Sequence, residues 1–257
     1  MPENLSVLIP TYNEEENISA CLESIGDLAS QILVFDSFST DRTVEIARSH
    51  GAEIRQRKFD NYASQKNEAL RFLVQPWILV LDADERLTSG LREEIRAILK
   101  SGATYDGYRI RRETWFRNRK VRCWSRDWSL RLFRTGKASY EPKKLVHERL
   151  VVNGKTSRLE HPLEHYTFRS FSQYLPKVDS FTSLAAEEAV ARGEKASLLK
   201  ILFYPPARFL KTYFLRGGIR DGIPGLLIAW LSAYTTYLRY AKIWELQSEN
   251  KNRNGFR

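Results

Sequence analysis

Residues 77–85, with the sequence Trp-Ile-Leu-Val-Leu-Asp-Ala-Asp-Glu, constrain the fold of this chain more than any other segment. Their five consecutive apolar residues are too few to cross a membrane, and they fit a strand buried on both faces, as in a parallel sheet covered by helices. The apolar run stops at Asp82, and Asp84 follows two positions later. Residues two apart on an extended segment point the same way, so both carboxylates would face the edge where open α/β sheets bind ligands.

Two carboxylates that close to each other repel unless a positive charge lies between them. A divalent cation shared with a diphosphate would supply that charge, and oxygen ligands suit Mg²⁺ or Mn²⁺. The alternative is a solvated Asp-x-Asp turn after a strand. The pair Asp82 and Asp84 therefore predicts either a metal site or a turn.

The chain before residue 102 alternates short apolar runs with segments whose apolar residues recur at helical spacing. Strands are predicted at 5–9, 32–35, 52–55 and 77–81, and a helix follows each one. This alternation predicts a doubly wound α/β sheet with a nucleotide site at its carboxyl edge.

The pattern changes after residue 102. Further strands are predicted at 105–112, 129–133 and 145–152, followed by a helix over 170–192 that starts or kinks at Pro176. We expect a catalytic domain over 1–195 and a helical segment over 196–257.

Charge and cysteine content restrict the partners and the compartment. Of the 257 residues, 41 are Lys or Arg and 31 are Asp or Glu, so the net charge of +10 favours a nucleotide, a nucleic acid or an anionic membrane. The two cysteines have no metal or redox spacing, which indicates a reduced cytosolic setting. The first ten residues are expected to form a strand, not a signal peptide.

Four motifs occur in an order that closely resembles the family-2 glycosyltransferases, which have the GT-A nucleotide-sugar fold. They are Val-Leu-Ile-Pro-Thr-Tyr-Asn-Glu at 7–14, Val-Phe-Asp-Ser-Phe-Ser-Thr-Asp at 34–41, Gln-Lys-Asn at 65–67 and Leu-Asp-Ala-Asp-Glu at 81–85. Later residues, Arg-Leu-Phe at 131–133 and Val-His-Glu at 146–148, resemble the lipopolysaccharide-core β-glucosyltransferases of Gram-negative bacteria. The fold class implied is a GT-A mixed sheet with a C-terminal helical segment.

The resemblance implies a donor site for a UDP-sugar. Asp36 would accept a hydrogen bond from the uracil N–H, because a carboxylate is purely an acceptor. Many family members have Asp-Asp where this chain has Asp36-Ser37, so Asp36 is the single carboxylate candidate there. Lys66 would lie along the ribose-diphosphate as a point charge. The expected donor-binding residues are Thr11, Tyr12, Glu14, Asp36, Lys66, Asp82 and Arg131.

The resemblance also implies an inverting transfer in which a carboxylate takes the proton of the acceptor hydroxyl. Glu148 is the predicted base and Asp127 is the alternative. His147 would be a third metal ligand beside Asp82 and Asp84, or a diphosphate contact. On a regular strand His147 and Glu148 face opposite sides, so both reach the site only if the backbone bulges.

Two further segments allow more than one interpretation. Residues 161–165 match the short H-x-x-E-H zinc pattern, but Pro162 argues against the helix that this pattern needs, so we interpret them as structural. Residues 201–246 are apolar, aromatic and basic, yet too polar for a membrane-spanning helix, which needs about twenty predominantly apolar residues. They fit an amphipathic segment on the cytoplasmic leaflet, or a helical hairpin that packs on the domain or forms a dimer.

The expected function is transfer of a sugar, with glucose favoured, from a UDP-sugar to a lipopolysaccharide-core or related lipid-linked saccharide. Such an enzyme would be cytoplasmic and peripheral to the inner membrane. Transfer to polyprenyl phosphate is the first alternative, although it usually comes with clear membrane spans. A basic nucleic-acid-binding protein is the second, although the sequence has no recognised nucleic-acid motif.

Overall fold

The computed structural model describes residues 3–102, 104–116, 119–125, 127–141, 150–168 and 171–254. The chain forms two compact units. The described part of the first unit is 3–102, 104–113, 127–141 and 150–166, and that of the second is 114–116, 119–125, 167–168 and 171–254. The division into 1–195 and 196–257 stays a prediction, and in the structure the helix that ends at Ala191 belongs to the second unit.

Four parallel strands form the centre of the first unit. They are β1 (Glu3–Thr11), β2 (Ala29–Asp36), β3 (Glu53–Gln56) and β4 (Trp77–Val80), in the order β3-β2-β1-β4. Every residue from Trp77 to Leu81 is buried, which confirms the predicted strand with two covered faces. The helices that follow the strands are α1 (Ile18–Ile25), α2 (Thr43–Ser49), α3 (Tyr62–Leu70) and α4 (Ser89–Ser101). The predicted βα alternation is therefore confirmed.

Local signals explain where α3 and α4 begin and end. The side chain of Asn61 accepts the Ser64 N–H at 2.8 Å, and that of Thr88 accepts the Leu91 N–H at 3.2 Å. Gly102 ends α4 in a left-handed conformation with φ 74°, which glycine adopts without a Cβ penalty. The helix α3 ends at Leu70, before the apolar run of β4 begins.

Antiparallel strands extend the sheet beyond β4 and make it mixed. Short β5 (Glu85–Leu87) pairs antiparallel with β12 (Leu163–Phe168), a pairing that the sequence pattern does not predict. The sheet order continues from β4 as β8-β6-β12-β5, with β6 at Gly107–Phe116 and β8 at Trp128–Arg134. The remaining strands described are β7 (Arg119–Val121), β9 (Ala138–Tyr140), β10 (Leu150–Val152) and β11 (Thr156–Arg158).

The second unit is mainly helical. Its elements are α5 (Phe171–Ala191), α6 (Leu198–Leu210), a π-helical turn (Lys211–Leu215), a 3-10 turn (Gly218–Asp221) and the long α7 (Ile223–Asn254). Pro176 lies inside α5, so the helix starts before it. One apolar cluster joins Phe116, Val121 and Cys123 to Ile228 and Leu231 of α7. In the part of the chain that is described, no helix has the length and apolar character needed to cross a membrane.

Candidate active site

The parallel strands bring their carboxyl ends to one edge of the sheet. Thr11 at the end of β1 is paired in register with Asp36 at the end of β2. Asp82 follows β4, which is the other neighbour of β1. Residues far apart in the sequence therefore meet at this edge, as expected for an open α/β sheet.

Asp36 is completely buried, and the chain itself fills its acceptor positions. Its Oδ1 accepts from the hydroxyls of Thr11 at 3.2 Å and Ser39 at 2.5 Å. Its Oδ2 accepts from the Ser39 N–H and from Gln56 Nε2, both at 2.9 Å. With two donors on each oxygen, Asp36 fastens the loop after β2. The predicted bond to a uracil N–H would have to replace one of these donors.

The loops after β1 and β2 are bonded to each other. The Asn13 N–H donates to Ser39 Oγ at 2.8 Å, and Asn13 Oδ1 accepts the Thr40 N–H at 2.8 Å. The Glu14 N–H donates to Thr43 Oγ1 at 2.8 Å. The predicted site residues Thr11 and Glu14 therefore hold the two loops together, whereas the ring of Tyr12 is exposed to solvent.

Two residues in these loops have a left-handed backbone. Asn13 has φ 54° and Phe38 has φ 61°. Asn adopts this conformation often, but for a bulky residue such as Phe it is an outlier. The Phe38 ring is also exposed, so no core packing explains its conformation.

The Gln-Lys-Asn motif on α3 fastens three separate segments. Gln65 Nε2 donates to Ser37 Oγ at 3.0 Å, in the loop after β2. Lys66 Nζ lies 3.5 Å from Asp82 Oδ1. Asn67 exchanges two hydrogen bonds of 2.8 Å with the backbone of Tyr140 in β9. The motif thus positions the edge of the site, and its lysine is the member beside a carboxylate.

Arg131, one of the predicted donor-binding residues, is bonded to two carboxylates of the chain. It is almost completely buried, and its Nη2 donates to Asp82 Oδ2 at 2.8 Å and to Glu85 Oε1 at 2.5 Å. Glu85 is fully buried, and its other oxygen accepts the Asp82 N–H at 2.9 Å. The guanidinium charge is therefore used inside the chain to hold the Asp-x-Asp-Glu turn.

Burial and the nearby charges together shift the pKa values of Asp82 and Glu85 in opposite directions. Burial would raise the pKa of Asp82, but the positive charges of Arg131 and Lys66 outweigh it and hold that pKa well below its usual range. Burial raises the pKa of Glu85, and Arg131 offsets the rise only in part. Asp82 is therefore ionised and already neutralised by protein cations.

Asp84 has a partner that the sequence interpretation missed. His165 Nε2 lies 3.4 Å from Asp84 Oδ2, because the pairing of β12 with β5 places His165 opposite Glu85. Burial lowers the pKa of His165, but the Asp84 carboxylate more than reverses this and raises it. The other ring nitrogen, Nδ1, is buried and has no hydrogen-bond partner. No local pattern marks His165, since its position depends on a strand pairing across 80 positions of the chain.

The other histidine of the H-x-x-E-H segment lies elsewhere. His161 is exposed, and its Nδ1 lies 3.0 Å from Glu94 Oε2 on α4. The two histidines therefore contact different carboxylates, Glu94 and Asp84.

The donor set of Asp84 and His165 fits a divalent cation that also binds a diphosphate. Among the residues that the structure describes, no three His, Cys, Asp or Glu side chains converge to form a complete protein-only site. Mg²⁺ and Mn²⁺ do not need one, since such ions are commonly bound by one or two protein ligands together with substrate phosphates. Asp82 stays a predicted metal ligand; in the structure its carboxylate is bonded to Arg131 and lies beside Lys66.

The structure describes only one of the two predicted bases, Asp127. Glu148 and His147 lie outside the described residues, so their roles stay predictions. Asp127 is exposed, and its backbone carbonyl accepts the Arg112 N–H at 3.1 Å. Nothing in the described contacts of Asp127 constrains its carboxylate.

The fold and this edge define a class, the glycosyltransferases with the GT-A fold. The Staphylococcus aureus TarS 1-349 structure in complex with UDP-GlcNAc has the same fold, with a TM-score of 0.52, 15% identity and coverage of 99% of this chain and 92% of that one. Residues 6–149 match Glycosyl transferase family 2, and the chain belongs to this family.

Two relatives match over nearly their whole length. The lipopolysaccharide core biosynthesis glycosyltransferase LpsC of Rhizobium meliloti is 32% identical over 252 residues, which cover 94% of this chain and 92% of that protein. An uncharacterized glycosyltransferase of Rickettsia typhi is 30% identical over 262 residues, covering 97% and 90%. The resemblance to family-2 and lipopolysaccharide-core enzymes expected from the motifs is confirmed.

Proposed function

We propose that this chain is an inverting, metal-dependent hexosyltransferase that moves glucose from UDP-glucose to a lipopolysaccharide-core or related lipid-linked saccharide. The observation that carries the proposal is the pairing of Asp84 with His165 at the carboxyl edge of the parallel strands, where Lys66 lies 3.5 Å from the neighbouring Asp82. The relative named for lipopolysaccharide core biosynthesis supports the acceptor class, and the UDP-GlcNAc complex of a protein with the same fold supports the donor class.

Asp84 and His165 are the residues that would hold Mg²⁺ or Mn²⁺. A divalent cation bound there would offset the negative charge that grows on the diphosphate as it leaves. Lys66, whose Nζ lies 3.5 Å from Asp82, would add a second positive charge on the same side. Arg131 would act indirectly, by holding Asp82 and Glu85 in place.

The nucleoside would lie against the loops after β1 and β2. Tyr12 presents an exposed ring there, and Thr11 and Asp36 fix the two loop starts. Asp36 would contact uracil only by exchanging one of its protein donors for the ring N–H.

In the proposed reaction, the acceptor hydroxyl attacks C1 of the sugar while the C1–O bond to UDP breaks. Glu148 takes the hydroxyl proton. The variant Glu148→Gln keeps the side-chain volume and removes the accepting charge, so we expect kcat to fall by about 10²-fold or more, with UDP-sugar binding nearly intact. Asp127→Asn is the comparison, and we expect it to be much milder. A dead Asp127→Asn enzyme beside an active Glu148→Gln enzyme would reverse the assignment.

The function itself is tested by UDP release from UDP-glucose with truncated lipopolysaccharide cores as acceptors, with Mn²⁺ present and after chelation by EDTA. Parallel reactions with other UDP-hexoses and with polyprenyl phosphate identify the donor and the acceptor class. We expect metal-dependent release with UDP-glucose and a core saccharide. The absence of release with any UDP-sugar and any of these acceptors would refute the proposal.

We place the enzyme in the cytoplasm, at the periphery of the inner membrane, because a lipid-linked acceptor is held there. The net charge of +10 supports an anionic surface as a partner.

A further inference from the structure

One side of α7 carries apolar and aromatic residues that face solvent. They recur at intervals of three, four or seven positions, so they lie on a single helical stripe. The stripe is about 30 Å long, at roughly 1.5 Å per residue. Its members are Ile223, Leu226, Trp230, Tyr234, Tyr237 and Trp244.

The preceding helix and turns add to this surface. Exposed apolar residues there are Leu198, Leu199, Leu202, Phe203, Leu210, Phe214, Leu215 and Ile219. We call these residues, together with the stripe of α7, the apolar face. Each member is between 37% and 74% exposed, whereas single exposed apolar residues are the usual case on a soluble monomer.

The apolar face is separate from the core of this unit. The opposite side of α7 already supplies the core, where Ile228, Tyr240 and Ile243 are buried. An open cleft of about 350 Å³ between α6 and α7 is lined by Leu202, Pro205, Trp230 and other apolar groups. The helices are therefore apolar on two sides, one inside and one outside.

The charges in the same segment indicate which kind of partner would cover the apolar face. Residues 198–244 contain seven basic residues and one acidic residue, Asp221. Three of the basic residues pair with acidic residues outside this segment, Lys200 and Arg239 with Glu194 and Lys242 with Asp179, and the other four are Arg208, Lys211, Arg216 and Arg220. The Asp221 carboxylate is used internally, since its Oδ2 accepts the N–H groups of Arg122 at 2.7 Å and Cys123 at 3.0 Å. A second copy would bring another excess of positive charge, whereas anionic lipid headgroups would neutralise it.

We propose that the apolar face docks on an anionic lipid bilayer, with α6 and α7 lying in the interface and not crossing it. Trp and Tyr suit this position because each has an apolar ring and a polar group that reaches water. The proposal rests on the proposed function in one respect: it names the surface that brings the enzyme to its lipid-linked acceptor.

The test is co-sedimentation of the full chain with vesicles, one set of neutral phosphatidylcholine and one with about a third phosphatidylglycerol. Wild-type protein is expected to pellet with the anionic vesicles, and less so as salt is raised. The triple variant Trp230→Ser/Tyr237→Ser/Trp244→Ser should bind them about tenfold more weakly or worse. A second triple variant, Leu215→Ser/Ile219→Ser/Ile223→Ser, should do the same.

The matched control is Val74→Ser, because Val74 is 74% exposed, like Ile223, but lies in the first unit. It should bind vesicles as the wild type does. All variants should stay folded, with a single thermal transition, and keep UDP release with a soluble truncated acceptor, so a failure of docking is distinguishable from a failure of the proposed function. A wild-type chain that stays in the supernatant would overturn the proposal. So would sedimentation equilibrium showing a dimer that the same triple variants dissociate.

Discussion

The carboxyl edge of the first unit and the apolar face of the second differ in the side chains that they leave exposed. At the carboxyl edge, Asp36 and Asp82 are hydrogen-bonded within the chain, whereas the Tyr12 ring is exposed to solvent. On the apolar face, Trp230 and its neighbours along α7 are 37–74% exposed to water, and the Trp230 ring also packs against Phe209 with centroids 4.9 Å apart. The first region is organised before any ligand arrives, whereas the second gains free energy only when apolar surface is covered.

The two regions therefore predict different consequences of substitution. Changes at the carboxyl edge break bonds inside the protein, so they should alter stability as well as activity. Changes on the apolar face remove few contacts that the folded chain uses, so they should affect docking much more than stability or activity.

The largest effect on stability is expected for Arg131→Met. This change leaves Asp82 and Glu85 without their shared cation, and removal of one partner of a buried ion pair costs about 3–5 kcal/mol. The measurement is the free energy of unfolding in urea. Arg71→Met is the control, because its ion pair with Glu68 lies on the surface and is worth roughly 0–1 kcal/mol. Equal losses in the two variants would contradict the buried network.

The next effect is on activity. Asp84→Ala and His165→Ala should each lower the rate of UDP release by about 10²-fold or more, because each removes a predicted metal ligand. Calorimetry of Mn²⁺ binding in the presence of UDP should show the same loss. His161→Ala is the matched control, since that histidine belongs to the same H-x-x-E-H segment but pairs with Glu94. Near-normal activity of His165→Ala with saturating metal would remove it from the site.

Asp36→Asn should lower the free energy of unfolding by about 1–3 kcal/mol. The asparagine NH2 group would replace one carboxylate oxygen and would face two groups that are themselves hydrogen-bond donors. A thermal melt measures this loss, and calorimetry with UDP measures donor binding separately. The control is Glu45→Gln, an exposed carboxylate on α2 whose ion pair with Arg42 lies on the surface. An unchanged melting temperature together with weaker UDP binding would instead favour a direct contact between Asp36 and uracil.

The smallest effect is expected at Phe38. Phe38→Gly should keep or raise the free energy of unfolding by up to about 1 kcal/mol, because glycine adopts φ 61° without strain but gains freedom in the unfolded chain. In contrast, Asn13→Gly should destabilise the protein, because Asn13 Oδ1 accepts the Thr40 N–H. Chemical denaturation compares the two. A loss of stability in Phe38→Gly larger than in Asn13→Gly would indicate that the Phe38 ring packs.

Much of the carboxyl edge could be predicted from local patterns. The buried run at 77–81, the helix caps at Asn61 and Thr88 and the end of α4 at Gly102 each depend on a few neighbouring residues. The Asp-x-Asp pair was located correctly at the edge of the sheet. The difference in role between its two members was not predictable, because it depends on which distant cations and histidines approach each one.

By itself, the sequence determined the βα alternation, the family and the strand ends that carry the candidate site residues, since side-chain direction along a strand or helix is a local property. The tertiary structure decided which groups share a site. It turned Arg131 inward to Asp82 and Glu85, closed four donors around Asp36, and brought His165 to Asp84 through the pairing of β12 with β5. Such contacts follow from the register between strands far apart in the chain, and no local pattern specifies that register for a three-residue strand such as β5.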